Sequence, residues 1–161
     1  MHSNGAFPLQ ITGYWHTVLL ATDDPQTINE YGEMWVHLRH LECSEDCNEI
    51  AFGFYIRLKK KCHKFIVVGK RVWDDVYDAV YLGKNAFQIK YYAYIVVILY
   101  NENTDQNGKV VRATVLAAKE SSVSEEEQKR FEELTVKMNI PKENIRNVME
   151  IGKVTFPFPV V

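Results

Sequence analysis

From Tyr14 to Ala117 short apolar runs alternate with turn-forming clusters, and a single helix-like stretch follows. A chain patterned this way buries its apolar side chains by curling hairpin-linked strands around one core. The first strand, Tyr14 to Ala21, runs into Thr22-Asp23-Asp24-Pro25, where proline ends a ladder. Pro25 to Gly32 reads as an irregular loop with one helical turn. The second strand sets Met34, Val36 and Leu38 on one face and Trp35, His37 and Arg39 on the other. Cys43-Ser44-Glu45-Asp46-Cys47 is a polar turn, and the third strand, Glu49 to Leu58, points Phe52, Phe54 and Ile56 one way. The fourth is Phe65 to Gly69, and the fifth, Val76 to Leu82, follows Trp73-Asp74-Asp75. Gly83-Lys84-Asn85 turns into the sixth, Phe87 to Tyr91, and Tyr94 to Asn101 is the seventh. Asn107-Gly108 is a hairpin signal before the eighth, Lys109 to Ala117. Eight strands at this spacing predict a sandwich or an up-and-down barrel.

Ser124-Glu125-Glu126-Glu127 then forms a capping box, with carboxylates where the helix dipole favours them. Phe131, Leu134 and Met138 share one face, Pro141 stops the helix, and an extended piece around Ile145 to Ile151 is placed to pair with the sheet. The chain of 161 residues reads as one domain with a substantial core. Gly13-Tyr14-Trp15 opens the strand series: glycine permits a bend, and the indole fills a large apolar hole at the floor.

A net charge of -2 gives no footprint for nucleic acid, and Lys59-Lys60-Lys61 reads as a solvated hairpin tip. No apolar run reaches the length of a membrane span; Ala93 to Leu99 is strand-sized. Met1 to Pro8 lacks a signal-peptide pattern, so location is argued from other features. No catalytic motif or phosphate loop occurs, and no cofactor is implied. Cys43 and Cys47 would lie ~13 Å apart on a continuous strand, too far to bond, whereas a turn through Ser44-Glu45-Asp46 brings them together. No helix follows them to activate a thiol, and with His40 they offer too few ligands for a metal.

The ordered set of Gly13-Tyr14-Trp15, eight strands, Asn107-Gly108, the capped helix and the closing segment resembles a lipocalin. Arg39-His40-Leu41-Glu42-Cys43 running to Cys47, the stretch Tyr81-Leu82-Gly83-Lys84-Asn85-Ala86-Phe87, and Ile140-Pro141-Lys142-Glu143-Asn144-Ile145 look like the mammalian odorant-binding protein and aphrodisin branch. The resemblance covers about residues 9–151. It implies an eight-stranded antiparallel barrel, a Cys43–Cys47 disulfide in an oxidising compartment, and Lys119 lying over Trp15 at the closed end. Where the branch bridges a cysteine at position 62 to a C-terminal one, Val154 stands here. Cys62 is thus expected as a thiol outside any bridge, and the tail Val154 to Val161 is atypical.

With the strand faces chosen partly by the resemblance, the expected ligand-facing residues are Met34, Val36, Leu38, Phe52, Phe54, Val68, Tyr81, Phe87, Leu99, Ala113, Val115 and Ala117. Asn85 and Asn101 match the positions that offer the family's ligands a polar contact. The implied function is a secreted carrier of a small hydrophobic odorant or pheromone, without membrane insertion. The alternatives are a filled barrel acting through protein partners, or an isomerase using Cys62. A monomer is expected, or a homodimer in which the helix segment swaps, because Ala117-Ala118-Lys119-Glu120-Ser121 has no glycine.

Overall fold

The computed structural model describes residues 11–28, 36–58 and 61–148, without the side chains of 57 and 58. Met34, Trp35, the Lys59-Lys60 tip and the tail 154–161 lie outside the described residues. One antiparallel sheet runs through β1 (Gly13–Tyr14), β2 (His16–Thr22), β3 (Val36–Cys43), β4 (Glu49–Leu58) and β5 (Lys61–Trp73), and on through β6 (Val76–Val80), β7 (Lys84–Ala93), β8 (Val96–Thr104) and β9 (Val110–Ala118). Helix α1 (Glu125–Lys137) and a short β10 (Arg146–Asn147) follow. The expected first strand is interrupted at Trp15, which makes two strands of one, and β10 is the closing extended piece, paired with β2 at Leu20 and Leu19. The expected loop helix is a 3-10 turn, Pro25–Ile28.

The interruption at Trp15 is what closes the barrel. β1 pairs with β3 through Gly13↔Leu41 and Tyr14↔His40, while β2 pairs with β9 from His16↔Ala118 to Thr22↔Ala113. One continuous stretch thus joins both ends of the sheet. Across the junction the Trp15 N–H donates to the Arg39 carbonyl at 2.9 Å, and the Leu38 N–H donates to Thr17 Oγ1 at 2.8 Å. Trp15 is fully buried, and its indole N–H donates to the Ile11 carbonyl at 2.7 Å, so the ring's one polar group stays satisfied. Ile11, Leu41, Ile50, Tyr77, Ile89, Val97 and Ala117 pack around it as a solid floor.

α1 begins where the sequence pattern places it: Ser124 Oγ accepts from the Glu127 N–H at 3.2 Å, with Glu125, Glu126 and Glu127 in the first turn. Phe131 is completely buried, packed with Ile140 against Val96, Ile98, Leu116 and Ala118 on the outside of the barrel. The Thr135 and Thr114 hydroxyls bond at 2.8 Å beneath it. β2 is therefore covered on both faces, by the interior and by the helix layer, and it is buried from Thr17 to Thr22.

Cys43 and Cys47 form a disulfide, their Cα atoms 4.7 Å apart across the turn at the closed end. Cys47 takes a positive φ of 55° to make that turn. Cys62 carries no disulfide and is buried.

Candidate ligand cavity

Above the Trp15 floor the interior opens into a cavity of about 130 Å³. An apolar cavity of ~150 Å³ is enough to hold benzene, so this volume suits a compact organic molecule. Each strand sends in alternate side chains: Val36 and Leu38 from β3, Phe52 and Phe54 from β4, Asn85 and Phe87 from β7, Leu99 and Asn101 from β8, Ala113 and Val115 from β9. Tyr81 stands at the upper end, edge-on to Phe54 at 5.2 Å and to Phe65 at 5.9 Å between ring centroids. Phe87 lies lower, edge-on to Phe52 at 4.4 Å and stacked on Tyr77 at 5.2 Å. The aromatic rings pack on one another, so the walls are largely set before any ligand arrives.

Two expected lining residues are misplaced. Val68 points outward and is 45% exposed; Val67 faces the cavity instead. Phe65-Ile66-Val67-Val68 is apolar on both faces, so alternation alone cannot say which face is inside. Ala117 is fully buried but lies in the floor with Trp15 and Val97, below the cavity. Three further lining residues, Thr17, Leu20 and Ala79, had no sequence assignment. A bulge between Thr17 and Leu19 shifts the phase of β2, so residues three apart both face inward. That bulge leaves no mark in a strand whose faces are both apolar.

The two asparagines do different work. Asn85 Nδ2 donates to the Tyr81 carbonyl at 2.8 Å, and its Oδ1 accepts from Asn101 Nδ2 and Asn103 Nδ2, each at 3.0 Å. Asn103 also donates to the Tyr81 and Leu82 carbonyls at 3.2 and 3.1 Å. Asn85 is thereby committed to holding the β6–β7 turn, where Leu82 and Gly83 take positive φ values. Among the bonds of the described residues, none engages Asn101 Oδ1, which leaves that oxygen and the second amide hydrogen to the cavity. Thr17 Oγ1 accepts from Leu38 and keeps its own hydroxyl hydrogen.

At the closed end Lys119 Nζ sits 4.0 Å from the Trp15 ring centroid and donates to the Tyr14 carbonyl at 3.1 Å. Burial holds this ammonium below the ordinary lysine range. Gly13 makes the approach possible: its φ is +145°, and a Cβ there would lie 2.8 Å from Nζ. Among the described residues no cluster of three His, Cys, Asp or Glu is placed to hold a metal ion.

A closed antiparallel barrel with a solid floor, an internal apolar cavity and one helix on its flank is the architecture of a lipocalin, and the chain belongs to that family. Residues 12–151 match the Lipocalin / cytosolic fatty-acid binding protein family. Among individual relatives, the male-specific submandibular salivary gland protein of Mesocricetus auratus is 34% identical over 142 residues, covering 88% of this chain and 82% of its own. The odorant-binding protein of Phodopus sungorus is 30% identical over 140 residues, covering 87% of this chain and 93% of its own. The crystal structure of aphrodisin, a sex pheromone from female hamster, superposes with a TM-score of 0.85 at 28% identity, covering 91% of this chain and 99% of its own.

Proposed function

We propose that this protein is an extracellular carrier that reversibly takes up one small hydrophobic molecule of the odorant or pheromone type inside its barrel. The observation that carries the reading is the apolar internal cavity, whose polar lining among the described residues is Thr17, Tyr81, Asn85 and Asn101. Burying ~250 Å² of apolar ligand surface is worth roughly 6 kcal/mol before association costs, so dispersion contacts and a hydrogen bond are needed for about micromolar affinity. Asn101 supplies that bond to an alcohol, ketone or aldehyde. Recognition by shape with so few polar groups gives broad selectivity. The Cys43–Cys47 disulfide supports an oxidising, extracellular setting, as does similarity to a salivary gland protein.

The open cavity argues against a filled barrel acting only through protein partners. Against the thiol-enzyme reading speaks the unbroken β4–β5 ladder, along which Cys62 alternates to the opposite face from Phe65 and Val67. The test is a fluorescent apolar probe. It should bind near one per chain and be displaced by medium-chain alcohols or ketones. Absence of probe uptake by protein shown to be folded overturns the carrier reading.

A further inference from the structure

Among the described residues β5 and β6 pair only at their lower ends, through Lys70↔Asp78, Arg71↔Tyr77 and Trp73↔Val76. Continuing that register would set Gly69 opposite Ala79 and Val68 opposite Val80, and neither pair forms, although both strands extend through these residues. On their far sides the same strands are fully paired. β5 follows β4 without a break from Lys70 to Lys61, and β6 follows β7 from Val76 to Val80. The barrel wall therefore holds a seam with intact sheet on each flank.

Outside the seam lies a groove of about 760 Å³. Its rim carries Ile66, Val68 and Val80, which are 67%, 45% and 80% exposed. Val67, Ala79 and Asn85 line both this groove and the internal cavity. Cavity and groove are thus separated by little more than those side chains. At the lower end of the seam Phe87 blocks the way: its ring occupies the space that a Cβ on Gly69 would need. The packed floor beneath leaves a chain longer than the cavity no room to extend downward.

We infer that the seam is a lateral subsite for the tail of an unbranched apolar ligand. The polar head stays at Asn101, the chain passes between Val67 and Ala79, and the tail lies against Ile66, Val68 and Val80. This rests on the carrier reading and names its ligand class: linear chains longer than the cavity itself accommodates. The occupant is a ligand tail rather than a protein partner because the side chains of Val67, Ala79 and Asn85 line both the groove and the ligand cavity, so a small displacement of them joins the two. The outer rim residues then have a purpose that an isolated cavity does not give them.

The test measures displacement of the fluorescent probe by straight-chain alkanols from hexanol to tetradecanol, on the native protein and on Ile66→Asp/Val80→Asp, with Val80→Asp alone as a milder variant. Both substituted side chains are exposed. For the native protein, affinity should rise by roughly two- to fourfold per methylene through the whole series. In the variants hexanol should bind unchanged, while tetradecanol should weaken by about tenfold in the double variant. The inference is overturned if the native rise stops at mid-length, if the variants match the native protein at every length, or if they lose hexanol and tetradecanol equally. Hexanol binding by the native protein leaves the carrier reading intact in each of those cases. Failure of every alkanol and of the probe to bind removes both.

Discussion

Gly13, Trp15 and Lys119 act as one unit. Glycine's missing Cβ leaves room for the ammonium, the ammonium covers the indole, and the Tyr14 carbonyl takes its hydrogen bond. Gly13→Ala forces an unfavourable φ and displaces Lys119, so thermal or denaturant melts should show a loss of about 1–3 kcal/mol. Asn101 and Asn85 should separate by readout. Asn101→Leu should weaken alcohols by about fivefold while leaving a hydrocarbon of similar size unchanged, the signature of one lost hydrogen bond. Asn85→Leu should lower stability instead, because it removes the amide that accepts from both Asn101 and Asn103 and donates to the Tyr81 carbonyl. His37 offers a pH test. It lies on the outer face of β3, opposite Tyr55, with Lys64 next in the same cross-strand row. Burial pushes its imidazole down to about 4. The fold holds it neutral, so the unfolded chain takes up the proton first as pH falls. Its contribution is complete above the unfolded pKa of ~6.5 and is lost on descending towards about 4, on the order of 3 kcal/mol at most. Tm should therefore fall as the pH is lowered across that range, and His37→Gln should weaken that dependence.

At the scale of elements, the helix is the best-signed part of the chain. Ser124, three glutamates and Phe131 state its start and face, and the structure uses each of them; the stop comes earlier than Pro141, at Met138 and the positive-φ Asn139, and Pro141 instead leads into the 3-10 turn Lys142–Asn144. Ser124→Ala should cost about 1 kcal/mol, whereas Phe131→Ala should cost about 3–5 kcal/mol and loosen α1 from the barrel, read by amide exchange along 125–137. The Cys43–Cys47 turn closes a very short loop, so replacing both cysteines with serine should cost only about 2 kcal/mol. The strands were legible as elements because Gly83, Asn107-Gly108 and Pro25 punctuate them. Which way they faced was legible only where polarity alternates. Val36 and Leu38 stand out against His37 and Arg39, whereas Val67 and Val68 are chemically almost equal and only the barrel distinguishes them. Ends were less legible: β5 extends from Lys61 to Trp73, well past its apolar centre, because its ladder to β4 continues through Lys64 and Lys70. The seam beside it left no sequence signal, since both of its strands are ordinary β-formers.

For the whole molecule, the internal cavity means that ligand binding and folding share one free energy. A ligand at about a hundred times its Kd should add about 2.7 kcal/mol to stability, visible as a concentration-dependent rise in Tm, while ligands that bind only the surface would not discriminate cavity variants such as Ala113→Phe. Mass across concentrations should remain that of a monomer; a concentration-dependent dimer that persists while Phe131 stays buried would signal exchange of the helix segment. The strand broken at Trp15 has a kinetic consequence. Every hairpin from β3 to β9 joins near neighbours in sequence, but β2 meets β9 roughly a hundred residues away. That last pairing demands the largest loss of chain freedom and is expected to form after the meander. Substitutions along β2, such as Leu20→Ala, should therefore speed unfolding far more than they slow refolding, making the first strand the latch whose release sets the lifetime of the native barrel.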